Sequence, residues 1–236
     1  MQLKKGINDM KKPYIVCHMV QSVDGRIDCA MVDKISGDEY YDTLKTYKAP
    51  SYLNGRVTME HYWAEKRKFK AKNAAPVAKS FAFVAESAPA YVFSCETIGS
   101  LMWKSNRVDN LPLVCIVSEQ TTQEYLDYLK SKKISYICAG KKSINIKKAM
   151  DLVATEFGVK RLAVLGGGVI NGAFVKEGLV DEYSILLAPG IDGRKGRVAS
   201  FDGLPDVKRN PYPLTLTGCK KLANGVVWLK YKAAVP

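Results

Sequence analysis

The sequence predicts an α/β protein built as a three-layer αβα sandwich, with a mostly parallel mixed sheet and an antiparallel C-terminal edge. Short apolar runs typical of buried strands alternate with helical patterns through most of the chain, as in parallel sheets that are covered on both faces. The last two runs are joined by Asn224-Gly225, a turn that favours a hairpin. No internal repeat or long linker divides the 236 residues. We therefore expect one domain over 13–236, preceded by a loose basic tail over 1–12.

The strands are predicted from short runs that are rich in β-branched and aromatic residues and bounded by turn residues. In chain order these runs are 14–20, 51–53, 80–85, 90–94, 113–117, 134–139, 161–165, 183–187, 214–217 and 226–231. Asp24-Gly25 is a strong turn signal after the first run, and Ser87-Ala88-Pro89 separates the third run from the fourth.

The helices are predicted from apolar residues at helical spacing and from capping residues. They cover 38–47, a segment after Thr58 that carries Tyr62 and Trp63, 121–132, 146–157, and a segment from Val169 to a stop at Gly178. Ser36 is the predicted cap of the first helix, and Thr121 or Thr122 is that of the third. Gly158 and Gly178 are expected to end the last two helices, because glycine accepts the left-handed conformation. The stretch 66–78 is interpreted as helix end and loop, and 193–213 as loop.

Composition limits the classes of function. The net charge of +13 favours anionic partners. The densest basic run, 66–72, contains a single aromatic residue and no known nucleic-acid module, so we expect no nucleic-acid partner. Neither a membrane span nor a signal peptide is predicted from the apolar runs. Six scattered cysteines without C-x-x-C predict a reduced, cytoplasmic protein, and two isolated histidines predict no metal site.

The most informative stretch is 161–189, which reads as strand, glycine turn, helix and strand. Gly166, Gly167 and Gly168 stand at the mouth of the helix, where a phosphate can approach free backbone N–H groups and the positive end of the helix dipole. The spacing is not G-x-G-x-x-G, and Asn171 and Gly172 stand where a Walker-type motif needs Lys and Ser or Thr. The pattern alone is equally compatible with a phosphate site and with a tight structural turn.

Three motifs together resemble the dihydrofolate-reductase-like family, and more closely the reductase domain of the bifunctional riboflavin-biosynthesis deaminase/reductase. Ser22-Val23-Asp24-Gly25-Arg26 is similar to the S-x-D-G-R of that domain, and Asn54-Gly55-Arg56-Val57-Thr58 to the G-R-x-T turn of dihydrofolate reductases. The segment 164–189 resembles the glycine loop, helix and D-E strand of the family. The resemblance implies a single-domain dihydrofolate-reductase-like fold and an oxidoreductase that transfers a hydride from NADPH to a small substrate.

The resemblance also implies roles for individual residues. Thr58 would bind the cofactor and cap its helix, Arg56 would face the 2′-phosphate, and Ser118 would contact the adenosine half. The pyrophosphate would lie on the glycine loop, which comprises Gly166, Gly167, Gly168, Val169, Ile170 and Asn171. On the substrate side the matching residues are Ser22, Asp24, Lys48 and Glu182. Each also has a structural interpretation, such as an N-cap for Thr58 and an exposed helix end for Lys48.

The substrate side departs from the family pattern. The D-x-P-x-L-T-x-R segment of the riboflavin reductases is absent, since 61–70 reads HYWAEKRKFK, and Leu165 stands where they carry a substrate-binding glutamate. The sequence therefore leaves several functions open. The favoured substrate is a 5-amino-6-(5-phosphoribosylamino)uracil-type pyrimidine of riboflavin biosynthesis. The alternative substrate is a pterin or another small carbonyl or imine compound, and the alternative function is nucleotide binding without catalysis. No side chain stands out as the proton donor. The family resemblance implies a homodimer, and a separate deaminase is an open question because this chain lacks the zinc-deaminase signature.

Overall fold

Strands and helices alternate along most of the chain, as the sequence predicts. The computed structural model describes residues 11–204 and 211–234. Their chain order is β1 (Tyr14–Ser22), α1 (Cys29–Val32), α2 (Glu39–Lys45), β2 (Ser51–Gly55), α3 (Arg56–Tyr62), β3 (Ala64–Lys68), β4 (Phe81–Phe83), β5 (Val92–Cys95), β6 (Leu101–Trp103), β7 (Arg107–Val108), β8 (Leu111–Val117), α4 (Gln123–Ser131), β9 (Ser135–Cys138), α5 (Ile146–Thr155), β10 (Arg161–Val164), α6 (Gly168–Lys176), β11 (Glu182–Ala188), β12 (Leu214–Lys221) and β13 (Val227–Ala233).

One eleven-stranded mixed sheet forms the middle layer. Its order is β12-β13-β11-β1-β10-β2-β5-β8-β9-β4, with β7 beside β8. All neighbours from β11 to β9 are parallel, and Val164 at the centre lies between Cys17 of β1 and Leu53 of β2. β13 and β12 form the predicted antiparallel edge. β4 makes the opposite edge antiparallel as well, which the sequence did not indicate.

Helices cover both faces of this sheet, which gives the predicted three layers. Side chains alternate between the faces along the central strands, so Phe93 belongs to one apolar core and its neighbour Val92 to the other. The first core is covered by α5 and α6, which contribute Met150 and Phe174 among other residues. The second is covered by α3 and α4, whose buried residues include Met59.

A third cluster beneath α2 contains a buried polar network around His18. One ring nitrogen of His18 lies 2.8 Å from the Ser184 hydroxyl, and the other donates to the Tyr40 carbonyl at 2.9 Å. Trp228 donates its indole N–H to the same hydroxyl at 2.8 Å. Burial lowers the pKa of His18 to about 4, so the ring is neutral near pH 7.

Helix ends confirm several of the predicted caps. Thr122 caps α4 by accepting a hydrogen bond from the Tyr125 N–H, and Gly158 and Gly178 take the left-handed conformation just past α5 and α6. Two predicted caps are wrong. α2 is preceded by Asp38, and the Ser36 hydroxyl instead donates to the Val32 carbonyl. α3 begins at Arg56 after Gly55, which places Thr58 inside the first turn rather than at the cap.

The basic stretch after α3 is not a loop throughout. β3 pairs with β6 in a separate two-stranded antiparallel sheet. The ring of Phe69 just beyond it packs at 5.2 Å from Tyr125 and 5.4 Å from Tyr128, which anchors the stretch on α4. The short elements α1, β6 and β7 were not predicted, because two to four residues cannot carry a periodic pattern.

The chain ends only partly fall within the described residues. Residues 1–10 of the predicted tail and 205–210 of the predicted loop lie outside them. Lys12, also assigned to the tail, makes an ion pair of 2.5 Å with Asp181 and so is attached to the domain. In the described ranges no helix is long and apolar enough to cross a membrane, and no group of three metal-ligating side chains is assembled.

Candidate functional site

A cleft of about 2260 Å³ opens at the edge of the sheet where the parallel strands end. It is lined by the segments that follow β1, β2, β5, β9, β10 and β11, and residues of α5 and α6 line it as well. Pockets for drug-sized ligands are usually about 300–1,000 Å³, so this cleft has room for a larger ligand. Ligands of open α/β sheets characteristically bind at this edge.

The start of α6 presents free backbone donors to the cleft. The first hydrogen bonds inside the helix are donated by Ile170 and Asn171 to the Gly167 carbonyl, both at 3.1 Å. The N–H groups of Gly168 and Val169 therefore have no acceptor within the helix. Because Gly167, Gly168, Val169 and Ile170 all line the cleft, these donors and the helix dipole suit an anion there.

The three glycines of this loop serve different purposes. Gly166 needs its positive φ of 96° and packs against Met19, and it does not line the cleft. A Cβ added to Gly168 would lie 2.1 Å from the Ala199 carbonyl oxygen, so this glycine allows a close backbone approach. A Cβ added to Gly167 would meet only the Ile27 side chain, at 3.8 Å. Packing inside the protein therefore does not require a glycine at position 167.

Asn171 lies beneath this loop rather than in the cleft. Its side chain is fully buried and donates to the Ser200 carbonyl at 2.7 Å. It thereby fixes the start of α6 to the segment that follows β11.

The second wall of the cleft is the turn from β2 into α3. Gly55 donates its N–H to the Gly166 carbonyl at 2.7 Å, which fixes this turn against the glycine loop. Arg56 and Thr58 both line the cleft, as the predicted cofactor site requires. The Arg56 guanidinium is half-exposed and lies 3.1 Å from Glu60, so part of its charge is already balanced.

A third wall follows β5 and runs through Thr97 and Ile98. The buried Glu96 carboxylate shapes it by accepting hydrogen bonds from the N–H groups of Ser100 at 2.5 Å and Leu101 at 3.1 Å. Ser118 supports the same loop, because its hydroxyl donates to the Thr97 carbonyl at 2.7 Å. Ser118 is fully buried and does not itself line the cleft, which corrects its predicted position.

The fourth wall is the loop between β9 and α5, and it is strongly basic. Lys141, Lys142 and Lys148 line the cleft without an ion pair to any described carboxylate. The backbone of the loop is held by Gln120, whose side-chain amide donates to the Lys141 carbonyl at 2.6 Å, and by the Glu119 N–H, which donates to the Gly140 carbonyl at 2.8 Å. Lys141 and Lys142 thus extend from a backbone that these bonds hold, and Lys148 lies in the first turn of α5.

The Ser22–Arg26 motif shapes the loop beside the cleft. Asp24 accepts hydrogen bonds from the Ser22 hydroxyl at 2.6 Å and from the N–H groups of Asp192 and Gly193 at 3.0 Å. These bonds, that of Ser22 foremost, hold the pKa of the Asp24 carboxyl well below its usual range. Neither Ser22 nor Asp24 lines the cleft, so the carboxylate joins two loops where the sequence suggested substrate contact.

Two predicted substrate residues lie far from the cleft. Lys48 precedes β2 and Glu182 begins β11, both at the ends of the parallel strands opposite the cleft. A seven-residue strand spans roughly 20 Å, so Glu182 cannot reach a ligand beside the glycine loop. Its carboxylate instead accepts a hydrogen bond from the Tyr14 hydroxyl at 3.1 Å.

Sequence reasoning missed several residues of the cleft. Asp28 and Arg197 line its β1 end, Thr97 its middle, and Lys141 and Lys142 its β9 end. Thr97 and the lysines follow predicted strands directly, so their position after a parallel strand was a usable signal. Arg197 lies in a segment without periodicity, and no local pattern indicates where it folds.

Comparisons with known proteins agree with this architecture. A curated relative, the 2,5-diamino-6-ribosylamino-4(3H)-pyrimidinone 5′-phosphate reductase of Methanothermobacter thermautotrophicus, is 30% identical over 95 residues, which is 40% of this chain and 43% of that protein. A pyrimidine reductase-like protein of Corynebacterium diphtheriae has a similar structure, with a TM-score of 0.71 at 15% identity over 95% of this chain and 93% of the other. The riboflavin biosynthesis reductase Rib7 of Saccharomyces cerevisiae gives a TM-score of 0.58 at 15% identity over 99% and 93%.

The structural likenesses show the fold, which is that of the reductases named above. The family assignment comes from the sequence, because the family model of the RibD C-terminal domain matches residues 13–228. The curated relative is matched over less than half of its length, so it does not by itself transfer an activity. On the family match, the chain belongs to the RibD C-terminal domain family, a family of reductases.

Proposed function

We propose that this protein is an NADPH-dependent reductase that acts on a ribosylaminopyrimidine phosphate of riboflavin biosynthesis. The observation that carries the proposal is the open face of Gly167 in the cleft, at the start of α6. Packing inside the protein does not require a glycine at this position, but the lack of a side chain leaves room for a pyrophosphate to approach the free N–H groups beside it. Membership of a reductase family supports a nicotinamide cofactor.

The residues of the cleft fit NADPH in their chemistry. The N–H groups of Gly168 and Val169 would hold the pyrophosphate, and Thr58 would bind on the facing wall. Arg56 would meet the 2′-phosphate, for which its planar fork is suited. When bound, the cofactor supplies the hydride, while the protein binds it, orients it and excludes water.

We infer the direction of the cofactor from the charges of the cleft. The unpaired lysines at the β9 end suit the phosphorylated adenosine half. The β1 end is mixed in charge, with Ile27, Asp28 and Arg197, and suits the nicotinamide and the substrate. The substrate would therefore bind at the end of β1, beside the loop that Asp24 and Ser22 hold in place.

The pyrimidine substrate is supported by the activity in the name of the Methanothermobacter relative. A pterin, or another small carbonyl or imine compound, is the alternative within the same chemistry. Binding of a nucleotide without catalysis is the alternative from another class, and it is kept because the substrate-side residues of the sequence prediction do not line the cleft.

The decisive experiment combines calorimetric titration with NADPH and NADH and an assay of NADPH oxidation. We expect NADPH to bind more tightly than NADH, and 5-amino-6-(5-phosphoribosylamino)uracil to be reduced faster than dihydrofolate. Tight NADPH binding without turnover of any pyrimidine or pterin would favour the non-catalytic alternative. Failure to bind either nucleotide would overturn the proposal.

We also propose a homodimer formed through the C-terminal antiparallel edge, in the cytoplasm. Leu214 and Leu216 of the edge strand β12 are 40% and 54% exposed, and such apolar side chains on an edge favour pairing. Five described cysteines are free thiols, as expected in a reducing compartment: Cys17, Cys95, Cys115, Cys138 and Cys219. Of these five, only Cys219 is exposed. Light scattering on the wild type and on Leu216→Lys tests the dimer, and an unchanged mass for the variant would exclude this edge as the interface.

A further inference from the structure

Arg197 is a positively charged residue at the β1 end of the cleft to which the proposed function gives no role. We propose that Arg197 binds an anionic group of the substrate, a phosphate or a carboxylate, and so determines the class of substrate. The inference rests on the proposed function for the identity of the substrate, although the anion site itself can be tested without it.

The backbone at Arg197 is held from two sides. Residues 198–200 run antiparallel to the turn after β1, where Ile27 donates to the Val198 carbonyl at 3.3 Å and Ser200 donates to the Gly25 carbonyl at 3.1 Å. On the other side, Asp202 donates its N–H to the Gly168 carbonyl at 3.0 Å. Arg197 is therefore fixed relative to both the end of β1 and the start of α6, as a recognition residue must be.

The guanidinium of Arg197 has free hydrogen-bonding capacity. Its Nη1 lies 3.7 Å from Asp28 Oδ2, which is an ion pair but too long for a hydrogen bond. No described residue accepts a hydrogen bond from this side chain, which is half-exposed on the cleft. A planar fork with five N–H donors and no acceptor is prepared for a bidentate oxyanion.

The neighbouring arginine shows the contrast. Arg194 lies 3.2 Å from the same Asp28 oxygen and also donates to the Asp192 carboxylate at 2.8 Å. Arg194 does not line the cleft, whereas Arg197 does. Asp28 therefore has two cationic neighbours: Arg194 is already hydrogen-bonded to a carboxylate, and Arg197 lines the cleft.

This anion site is distinct from the basic wall at the other end of the cleft. Five strand-to-strand steps separate β1 from β9 in the sheet, which at about 4.8 Å each is roughly 24 Å. The adenosine half of a cofactor that extends from Arg56 toward the β9 lysines points away from Arg197. The only other arginine among the described residues that line the cleft is Arg56, which is paired with Glu60. We assign an anion at the β1 end to a second ligand rather than to the cofactor's pyrophosphate on the start of α6; if Arg197 served the pyrophosphate, saturating NADPH would abolish the binding of ribose 5-phosphate.

The test uses ribose 5-phosphate as the probe and ribose as its uncharged counterpart, titrated calorimetrically with and without saturating NADPH. We expect ribose 5-phosphate to bind the wild type in preference to ribose. Arg197→Gln should weaken ribose 5-phosphate binding at least tenfold, since a charge-assisted bidentate contact is lost, and Arg197→Lys should restore part of it. Arg194→Gln is the matched control and should change binding less than twofold.

The outcomes separate this inference from the proposed function. With the phosphorylated pyrimidine, Arg197→Gln should raise KM while kcat and NADPH affinity stay within about twofold of wild type. Wild-type protein that does not distinguish ribose 5-phosphate from ribose, or an Arg197→Gln variant that binds the phosphate normally, would overturn the inference. Absence of NADPH binding would overturn the proposed function alone, since the probe is also titrated without the cofactor.

Discussion

Replacing Gly167 with alanine separates a phosphate-binding loop from a structural turn. The backbone of Gly167 has φ −74° and ψ −171°, which is extended and open to any residue. The added methyl would meet only Ile27, at an ordinary contact distance of 3.8 Å. The fold should therefore tolerate the change, because the reduced freedom of the unfolded chain, about 0.4–1 kcal/mol, opposes the loss of a favoured N-cap residue, and stability should stay within about 1 kcal/mol of wild type.

The same methyl would stand where a pyrophosphate must approach the N–H groups of Gly168 and Val169. Loss of one hydrogen bond to a charged group costs about 1.5–3 kcal/mol, which corresponds to a decrease of roughly 10- to 150-fold in NADPH affinity. NADPH affinity should thus fall while the free energy of unfolding changes little. If the loop is only a structural turn, neither the stability nor the NADPH affinity should fall.

Calorimetric titration with NADPH and denaturant unfolding of the same preparations measure both quantities. Gly168→Ala is the matched control, because its methyl would lie 2.1 Å from the Ala199 carbonyl oxygen and should destabilise the apo protein. An affinity of Gly167→Ala within about twofold of wild type would refute the assignment of this loop to the pyrophosphate. A loss of stability in Gly167→Ala as large as that in Gly168→Ala would refute the packing argument.

Three further predictions address other parts of the molecule. Arg56→Gln should weaken NADPH about tenfold and leave NADH unchanged in calorimetry, and an equal loss for both would remove Arg56 from the 2′-phosphate. His18 has a pKa of about 4 in the folded state against 6.5 when unfolded, so the unfolded chain takes up the proton first as pH falls through this window, and stability is lost. In urea unfolding, the wild type should lose about 3 kcal/mol more than His18→Gln between pH 7 and 4, and parallel pH profiles would contradict the assignment. Glu182→Gln should leave kcat and KM unchanged in the NADPH assay, because Glu182 lies at the far edge of the sheet, and a large rise in KM would show that this edge takes part.

The fold was predictable because local patterns and the sheet agree. Each parallel strand is a short apolar run between turn residues, and Gly158 and Gly178 mark helix ends through a conformation that glycine favours. The second antiparallel edge was not predictable in the same way. β4 is a three-residue strand, and its pairing with β9 is set by distant contacts such as the Phe81 ring on Tyr136.

The candidate site was predictable only where a single segment forms it. The glycine loop and the turn at Arg56 each follow one strand, and both line the cleft. Residues such as Asp28 and Arg197 come together from segments about 170 positions apart, and their contact depends on the loop after β11. Motif matching also selected Lys48 and Glu182, which do not line the cleft, because a match in sequence does not show at which end of a strand a side chain stands.

The glycines of α6 connect the two halves of the proposed site. Gly168 and Gly172 lie one turn apart, and a Cβ on either would lie about 2 Å from a carbonyl oxygen of the segment 199–202. That segment crosses the start of the helix and begins two residues after Arg197, so the loop assigned to the cofactor and the arginine assigned to the substrate are joined through its backbone contacts with α6. A shift of either part would move the other, which would keep the two proposed ligands in register. Gly168 and Gly172 thus allow the segment that follows Arg197 to pack on α6, whereas Gly167 leaves room for the proposed pyrophosphate.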